Sequence, residues 1–351
     1  MGRVRFAVIG TSSISESFVD ALHASSDALY VGSMSRSVER AADVTSRLGG
    51  TEPFCGLDAV VSSSAIDAVY IASPNALHYE QALACIEAGK HVLVEKPIAA
   101  NAAQARQLFS AGRRHRAVVM EAMRSVHDPA YGVLRDTLSR IGRIRRASLR
   151  FGKYSTRYDE VLAGRQTNIF DARLATGALM DIGVYCVEAC VALFGVPEAV
   201  SCAAVRIADA DCEATGGVID GAGTLLARYP DMVAELSYSK ITQDMLDCQI
   251  EGELGTITYR GVSVPLSGAL VLRGRARAGA SRPGEFTEGD VTETLPFATC
   301  ANNMCYELED FCACVRGERD AEEFERITCT SLDIMDEARR QAGIVFPADA
   351  A

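Results

Sequence analysis

Apolar positions along this chain follow two regimes. Through residue 122, short β-branched runs at 4–9, 28–34, 66–73, 91–95 and 117–120 alternate with stretches of helical spacing that begin near residues 13, 37, 76 and 102. Runs of valine and isoleucine without polar alternation read as strands buried on both faces, and strands alternating with helices build a parallel, doubly wound sheet. After residue 122 the rhythm changes. Helices are predicted near 129–139 and 181–194, with a strand at 144–152 between them. From residue 199 strands follow one another with short turns, at 199–207, 218–229, 233–239, 247–251, 255–259 and 264–273, which predicts an antiparallel sheet. Residues 273–289, rich in Gly and Arg, read as a mobile loop or wide hairpin; helices near 303–316 and 327–341 close the chain, and 347–351 are expected to fray.

Composition narrows the function classes. A chain of 351 residues suggests two domains, and 48% hydrophobic with 23% charged residues is that of a globular protein. A net charge of -11 argues against nucleic-acid and anionic-membrane partners, which need basic patches. No apolar run is read as long enough to span a bilayer, no signal peptide is visible after Met1, and the cytoplasm is the expected compartment. The twelve cysteines are then reduced thiols, mostly small buried residues, and no metal site is expected because paired ligand spacings are missing.

Candidate chemistry clusters at the carboxyl ends of the first strands, where open α/β sheets bind ligands. The first strand runs into Gly10, Thr11, Ser12, Ser13 and Ile14 at a helix start, a strand–glycine–helix arrangement that aims backbone N–H groups at a pyrophosphate. Ser12 and Ser15 stand where a G-x-G-x-x-G fingerprint has its second and third glycines, so the loop reads either as a nucleotide site or as a plain βα turn. The second strand ends at Ser35 and Arg36 with no acidic residue. Arginine there accommodates a ribose 2′-phosphate, which favours NADP over NAD, unless Arg36 only caps a surface helix. Ser73, Pro74, Asn75 and His78 follow the next strand, His78 being either a ligand contact or a partly exposed histidine at a helix start. The strand at 91–95 stops on Glu95-Lys96-Pro97, and proline restricts the backbone of Lys96. Taken alone, that triplet is a charged turn.

In the second half, Asp181 and Tyr185 fall at i and i+4 of a predicted helix and project from one face. The polar, aromatic loop with Tyr154, Arg157 and Tyr158 can line a polyol pocket or form a surface crossover, and Asn168 is equally open.

In order and separation, Gly10-Thr11-Ser12, Glu95-Lys96-Pro97, Glu121-Ala122-Met123-Arg124 and the segment Gly177 to Tyr185 resemble the Gfo/Idh/MocA family of NAD(P)-dependent oxidoreductases. The tyrosine at 185, where many members carry histidine, is similar to the glucose-fructose oxidoreductase and dimeric dihydrodiol dehydrogenase branches. The resemblance implies an α/β chain with an N-terminal Rossmann domain at 1–122. A C-terminal α+β domain at 123–351 would follow, with a large, mainly antiparallel sheet used for substrate binding and for homodimer or homotetramer assembly. It implies hydride transfer between a nicotinamide cofactor and a secondary alcohol or carbonyl of a sugar, polyol or trans-dihydrodiol. Lys96 then belongs to the catalytic centre, and Ser73, Pro74, Asn75, His78, Glu95 and Arg124 lie along the cofactor. On this reading Tyr185 exchanges the proton, Lys96 orients the substrate oxygen and lowers the Tyr185 pKa, and Asp181 positions Lys96 or a substrate hydroxyl; the rival assignment makes Lys96 the acid/base. Two further readings are a glycoside-cleaving enzyme that retains NAD, and a cofactor-binding regulatory protein without turnover.

Overall fold

The computed structural model describes residues 2–208, 212–274 and 290–350. The first half forms strands β1 (Val4–Ile9), β2 (Ala28–Ser35), β3 (Phe54–Cys55), β4 (Ala68–Ile71), β5 (His91–Glu95) and β6 (Val119–Ala122). They pair in the order β3-β2-β1-β4-β5-β6, each neighbour parallel. This order reverses direction between β1 and β4, and a crevice opens there beyond the strand ends. Helices α1 (Ser13–Ala24), α2 (Val38–Arg47), α3 (Leu57–Ser62), α4 (Asn75–Glu87) and α5 (Ala102–His115) connect the strands. Local chemistry sets their starts: Ser37 accepts from Arg40 N at 3.2 Å and Asn101 from Gln104 N at 2.9 Å, each satisfying a first-turn donor.

Strand alternation divides the interior into two apolar layers. Phe6 and Val8 of β1 face Phe18 of α1 and a remote helix at Met304–Val315, whereas Ala7 and Ile9 face the larger core that continues into the second half. Phe18 stacks on Tyr70 at 3.7 Å, and Phe6 meets Phe311 at 5.6 Å.

After α6 (Arg124–His127) and α7 (Pro129–Leu138), the second sheet begins with β7 (Ile144–Gly152), followed by α8 (Arg157–Leu162), a π-helical turn at Leu179–Gly183 and α9 (Val184–Phe194). The remaining strands are β8 (Ala199–Arg206), β9 (Asp220–Arg228), β10 (Val233–Ser239), β11 (Cys248–Gly252), β12 (Gly255–Arg260), β13 (Ser267–Leu272) and β14 (Val291–Thr294). They order as β14-β13-β12-β11-β7-β10-β9-β8, antiparallel except for β7 with β10. The chain is thus an α/β protein with a parallel and a mainly antiparallel sheet. Helices α10 (Met304–Val315) and α11 (Glu322–Ala342) return to the first half. Buried Glu121 of β6 secures that return: it accepts Thr328 Oγ1 of α11 at 2.8 Å and Ile98 N, just past Lys96, at 2.7 Å.

Several elements differ from the sequence reading. β3, α3 and β14 are additional, and α11 starts at Glu322 instead of 327, because three acidic residues in its first turn suit a helix N-terminus without apolar spacing. Of the end expected to fray, residues 347–350 are described and docked, and residue 351 lies outside the described residues: Asp349 pairs with Arg339 at 2.7 Å and accepts from Asn101 at 3.2 Å. Of the expected loop at 273–289, residues 275–289 lie outside the described residues. The expectation of no bilayer-length apolar run also needs correction. Ala172–Phe194 is long and apolar enough by length and composition, but 72% of its most apolar window is buried inside the fold. Among the described residues no group of three or more His, Cys, Asp or Glu is placed to hold a metal ion.

Candidate functional site

A cleft of about 1080 Å³ opens at the carboxyl ends of β1, β2, β4 and β5 and is closed on its far side by the π turn and α9. Its floor is the turn from β1 into α1. Gly10 has φ +121°, and a Cβ there would lie 2.6 Å from Ala72 O, so only glycine fits. Ser12 caps α1 with extended backbone and makes no side-chain cap bond, which leaves first-turn N–H groups of α1, beside Ser13 and Ile14, directed to the cleft. Ser15 is buried where the third glycine of the fingerprint would lie, its Oγ without a partner among the described residues. A small side chain is enough for that close helix–strand contact.

Two arginines, Arg36 and Arg40, line the cleft with Thr11. Ser35 and Arg36 end β2, and Arg40 in the first turn of α2 donates to Thr11 Oγ1 at 2.9 Å. Sequence reading missed Arg40, because its place depends on α2 turning back toward the β1 loop. Unpaired helix N–H groups, a glycine cradle and two cations without a competing carboxylate fit a dinucleotide with a phosphorylated ribose.

Past β4, Ser73 Oγ donates to Gln81 Oε1 at 2.7 Å, and Asn75 Nδ2 reaches Ala175 O at 3.0 Å, joining the two halves beside Pro74. His78 is fully buried instead of partly exposed. Its ring nitrogens face Ser73 O at 2.8 Å and Pro97 O at 2.9 Å, and burial pushes its pKa down. It therefore acts on the cleft by holding the turns that carry Ser73 and Lys96.

β5 delivers Glu95 and Lys96 to the centre, and the Lys96–Pro97 peptide bond is cis. Glu95 takes the Tyr70 hydroxyl on one oxygen and Lys96 N at 3.2 Å on the other; burial pushes its carboxyl up. Lys96 Nζ donates to Asp181 O at 2.8 Å and Asp181 Oδ1 at 3.1 Å, and stands 5.1 Å from the centre of the Tyr185 ring. Lys240, which sequence reading did not single out, pairs with the other oxygen of Asp181.

The π turn makes this convergence possible. Leu179 N donates to buried Asp220 at 2.8 Å, a Cβ on Gly177 would collide with that same carboxylate at 2.3 Å, and one on Gly183 would press on Tyr238 at 3.0 Å. Asp181 and Tyr185 do share a face, as their spacing predicts, but across a widened turn and not a regular α-helix.

Charge balance follows from these contacts. Burial works against the Asp181 carboxylate, yet Lys96 and Lys240 outweigh it and hold its pKa far below the usual range. Burial likewise disfavours the Lys96 ammonium, but Tyr185, Asp181 and Glu95 raise its pKa above that of a free lysine. Lys96 does lower the Tyr185 pKa, as expected, but it does not set the net shift. Burial of the phenol is the larger effect, Lys96 offsets only part of it, and the net shift is upward.

Asp220 gives a stability prediction. Burial raises its carboxyl to about 6 from 3.8, so the folded state holds the proton more tightly than the unfolded chain. The stabilisation is full below the unfolded value and is lost as pH rises through about 6. Chemical denaturation should show the wild type losing up to about 3 kcal/mol from this group over that window. Asp220→Asn should lack that component, and parallel pH profiles for the two proteins would refute the assignment.

Family models now match where the geometry pointed: the oxidoreductase family NAD-binding Rossmann fold covers residues 4–123, and the GFO/IDH/MocA C-terminal domain covers 138–258. The chain belongs to the Gfo/Idh/MocA oxidoreductase family. Like its relatives, it is an NAD(P)-dependent oxidoreductase acting on CH–OH groups. The scyllo-inositol 2-dehydrogenase (NADP(+)) IolU of Bacillus subtilis is 36% identical over 99% of this chain and 100% of that protein. Trans-1,2-dihydrobenzene-1,2-diol dehydrogenase of Mus musculus is 27% identical over 99% of each. KijD10, a 3-ketoreductase from Actinomadura kijaniata solved with TDP-benzene and NADP in an open conformation, superposes with a TM-score of 0.77. It is 25% identical and covers 97% of this chain and 98% of that one.

In this Gfo/Idh/MocA chain the structure gathers Arg124 and Asn168 at the same cleft as Lys96, Asp181 and Tyr185. The loop expected to line a polyol pocket stands apart from the described lining. Residues 157–162 form α8, Tyr154 donates to Asp159 at 2.6 Å, and Tyr158 packs 6.1 Å from Phe170. Tyr154, Arg157 and Tyr158 are not among the residues that line the cleft. Thr176 and Ile169, which sequence reading passed over, face the cleft instead.

Proposed function

We propose that this chain is an NADP-dependent dehydrogenase of a secondary alcohol on an inositol-like polyol. The observation that carries the reading is one cleft that holds the cationic pair Arg36 and Arg40 at one end and Lys96 between Asp181 and Tyr185 at the other. Similarity over the full length to an NADP-dependent scyllo-inositol dehydrogenase supports both the cofactor and the substrate class.

A bound nicotinamide supplies the hydride exchange with the carbinol carbon. The chain's residues manage the oxygen. The Lys96 ammonium, kept charged by Asp181, donates to the substrate oxygen and stabilises negative charge on it. Tyr185 takes the hydroxyl proton during oxidation and returns it during reduction. Asp181 already accepts from two ammonium groups, so it orients Lys96 and is not the proton acceptor.

We further infer a division near residue 122, with α10 and α11 reaching back across it, and assembly as a homodimer or homotetramer. Exposed Val205, Leu226 and Val233 on the outer face of the second sheet suit such a contact.

Titration with NADP and NAD, then nicotinamide absorbance with a panel of inositols, sugars and dihydrodiols, tests the reading. Absence of turnover across that panel in protein that binds cofactor would overturn it. Removing both guanidinium groups in an Arg36→Ala, Arg40→Ala variant should weaken NADP binding about 10- to 100-fold, since each charged hydrogen bond is worth about 1.5–3 kcal/mol, less at an exposed site. NAD binding should change no more than about threefold. Equal losses for both cofactors would refute the 2′-phosphate assignment.

A further inference from the structure

We propose that Lys240 is a positioning residue for the reaction: from behind the cleft it holds the second oxygen of Asp181 and thereby fixes where Lys96 presents its ammonium. This rests on the function proposed above. Lys240 follows β10 and is more than nine-tenths buried, yet it is not among the residues lining the cleft. Its backbone is pinned on both sides, N donating to Gly221 O at 2.8 Å and O accepting from Ser155 N at 2.9 Å. The side chain therefore leaves a fixed point and ends on Asp181 Oδ2, while Lys96 occupies Oδ1 and the backbone carbonyl.

A carboxylate held on one oxygen only can turn about its terminal bond and carry its partner with it. Held on both, it is a rigid mount. The arrangement also sets the local charge. Two ammonium groups share the Asp181 carboxylate, so that carboxylate alone does not cancel the positive charge that meets a substrate oxygen as it becomes negative. A lysine that merely neutralised a buried aspartate would be redundant here, because Lys96 alone already does so.

The charged groups that act on Tyr185 of α9 are Lys96 and Glu95 at the end of β5, Arg124 of α6 and Asp181; buried Glu307 of α10 acts in turn on Glu95 and Arg124, and Asp220 of β9 and Tyr238 of β10 face each other beside the π turn. Of the cations, only Lys96 and Lys240 touch Asp181 in the described residues.

The test compares wild type, Lys240→Met and Lys240→Arg with scyllo-inositol and NADP. In Lys240→Met, kcat should fall about 10- to 100-fold with KM for NADP within about threefold, and the alkaline limb of the pH–rate profile should move up by about one unit as a positive charge is lost. Lys240→Arg should restore most of kcat and the position of the limb. Superimposable kcat and pH profiles for wild type and Lys240→Met would overturn the proposal.

A readout without turnover separates this from the functional reading. Phenolate absorbance, taken as a difference against Tyr185→Phe, should show Tyr185 titrating at higher pH in Lys240→Met. An unchanged titration overturns the positioning role even if no polyol is turned over, whereas a shifted titration without turnover supports it and condemns only the substrate class. If the methionine variant does not fold, Lys240→Gln, which keeps a donor but drops the charge, takes its place in the same measurements.

Discussion

Replacing Lys96 with alanine should lower polyol turnover by about a thousandfold or more while leaving NADP affinity within a few-fold. The size follows from what the ammonium does. It is the one charged donor held between Asp181 and Tyr185 in the cleft, and losing an oriented donor to a developing oxyanion costs about two to three orders of magnitude, with further loss from disturbed proton transfer. The fold should survive. Asp181 keeps Lys240 as a partner, so no unpaired charge is left buried, and the truncated side chain opens space on the cleft side only. The proposed phosphate contacts lie at the other end, on the first turn of α1 and on Arg36 and Arg40, so affinity for NADP should be spared. Steady-state kinetics with fluorescence titration of NADPH checks both halves. Turnover within tenfold of wild type would remove Lys96 from the mechanism.

The contrast between Lys96 and Lys240 shows where sequence reading succeeds. The catalytic part of Lys96 came only from the family resemblance, but its place at the cleft was legible because its neighbourhood is local: a buried strand, a charged pair and a proline lie within seven residues, and strand ends are where α/β sheets bind ligands. Asp181 and Tyr185 were legible for the same reason, since four residues on a helix fix a shared face. Lys240 has no such local signal. It follows a run of alternating residues, and its contact with Asp181 exists only because β10 pairs with β7 and β9 and sits against the π turn through Tyr238 and Gly183. Arg40 was hidden in the same way, as was the docking of α10 beside α1, which apolar spacing predicts as a helix without saying what it covers. The loop with Tyr154 and Tyr158 stayed open between two readings for a related reason, because composition reports polarity and cannot report that Asp159 already takes the Tyr154 hydroxyl.

Tyr185→Phe should lower turnover by about two to three orders of magnitude and change the shape of the pH profile as well as its height. Burial raises the phenol pKa and Lys96 offsets only part of the rise, so wild-type Tyr185 is protonated through the neutral range. In the direction of carbonyl reduction it is then already the required donor, and the rate should be flat near neutrality and fall at alkaline pH as the phenol ionises. Alcohol oxidation needs the phenolate, so its rate should climb with pH over the same alkaline interval. Phenylalanine keeps the ring contact with Phe151 at 5.7 Å and the face presented to Lys96, which confines the change to the hydroxyl. Both limbs should vanish together in the variant. The rival assignment, with Lys96 as the acid/base, predicts otherwise: its ammonium is held above the ordinary lysine pKa, so an alkaline limb would survive the loss of the Tyr185 hydroxyl. A limb retained in Tyr185→Phe would therefore transfer the proton to Lys96. Its disappearance would leave Lys96 the part that geometry gives it, an ammonium fixed by Asp181 that orients the oxygen while the tyrosine exchanges the proton.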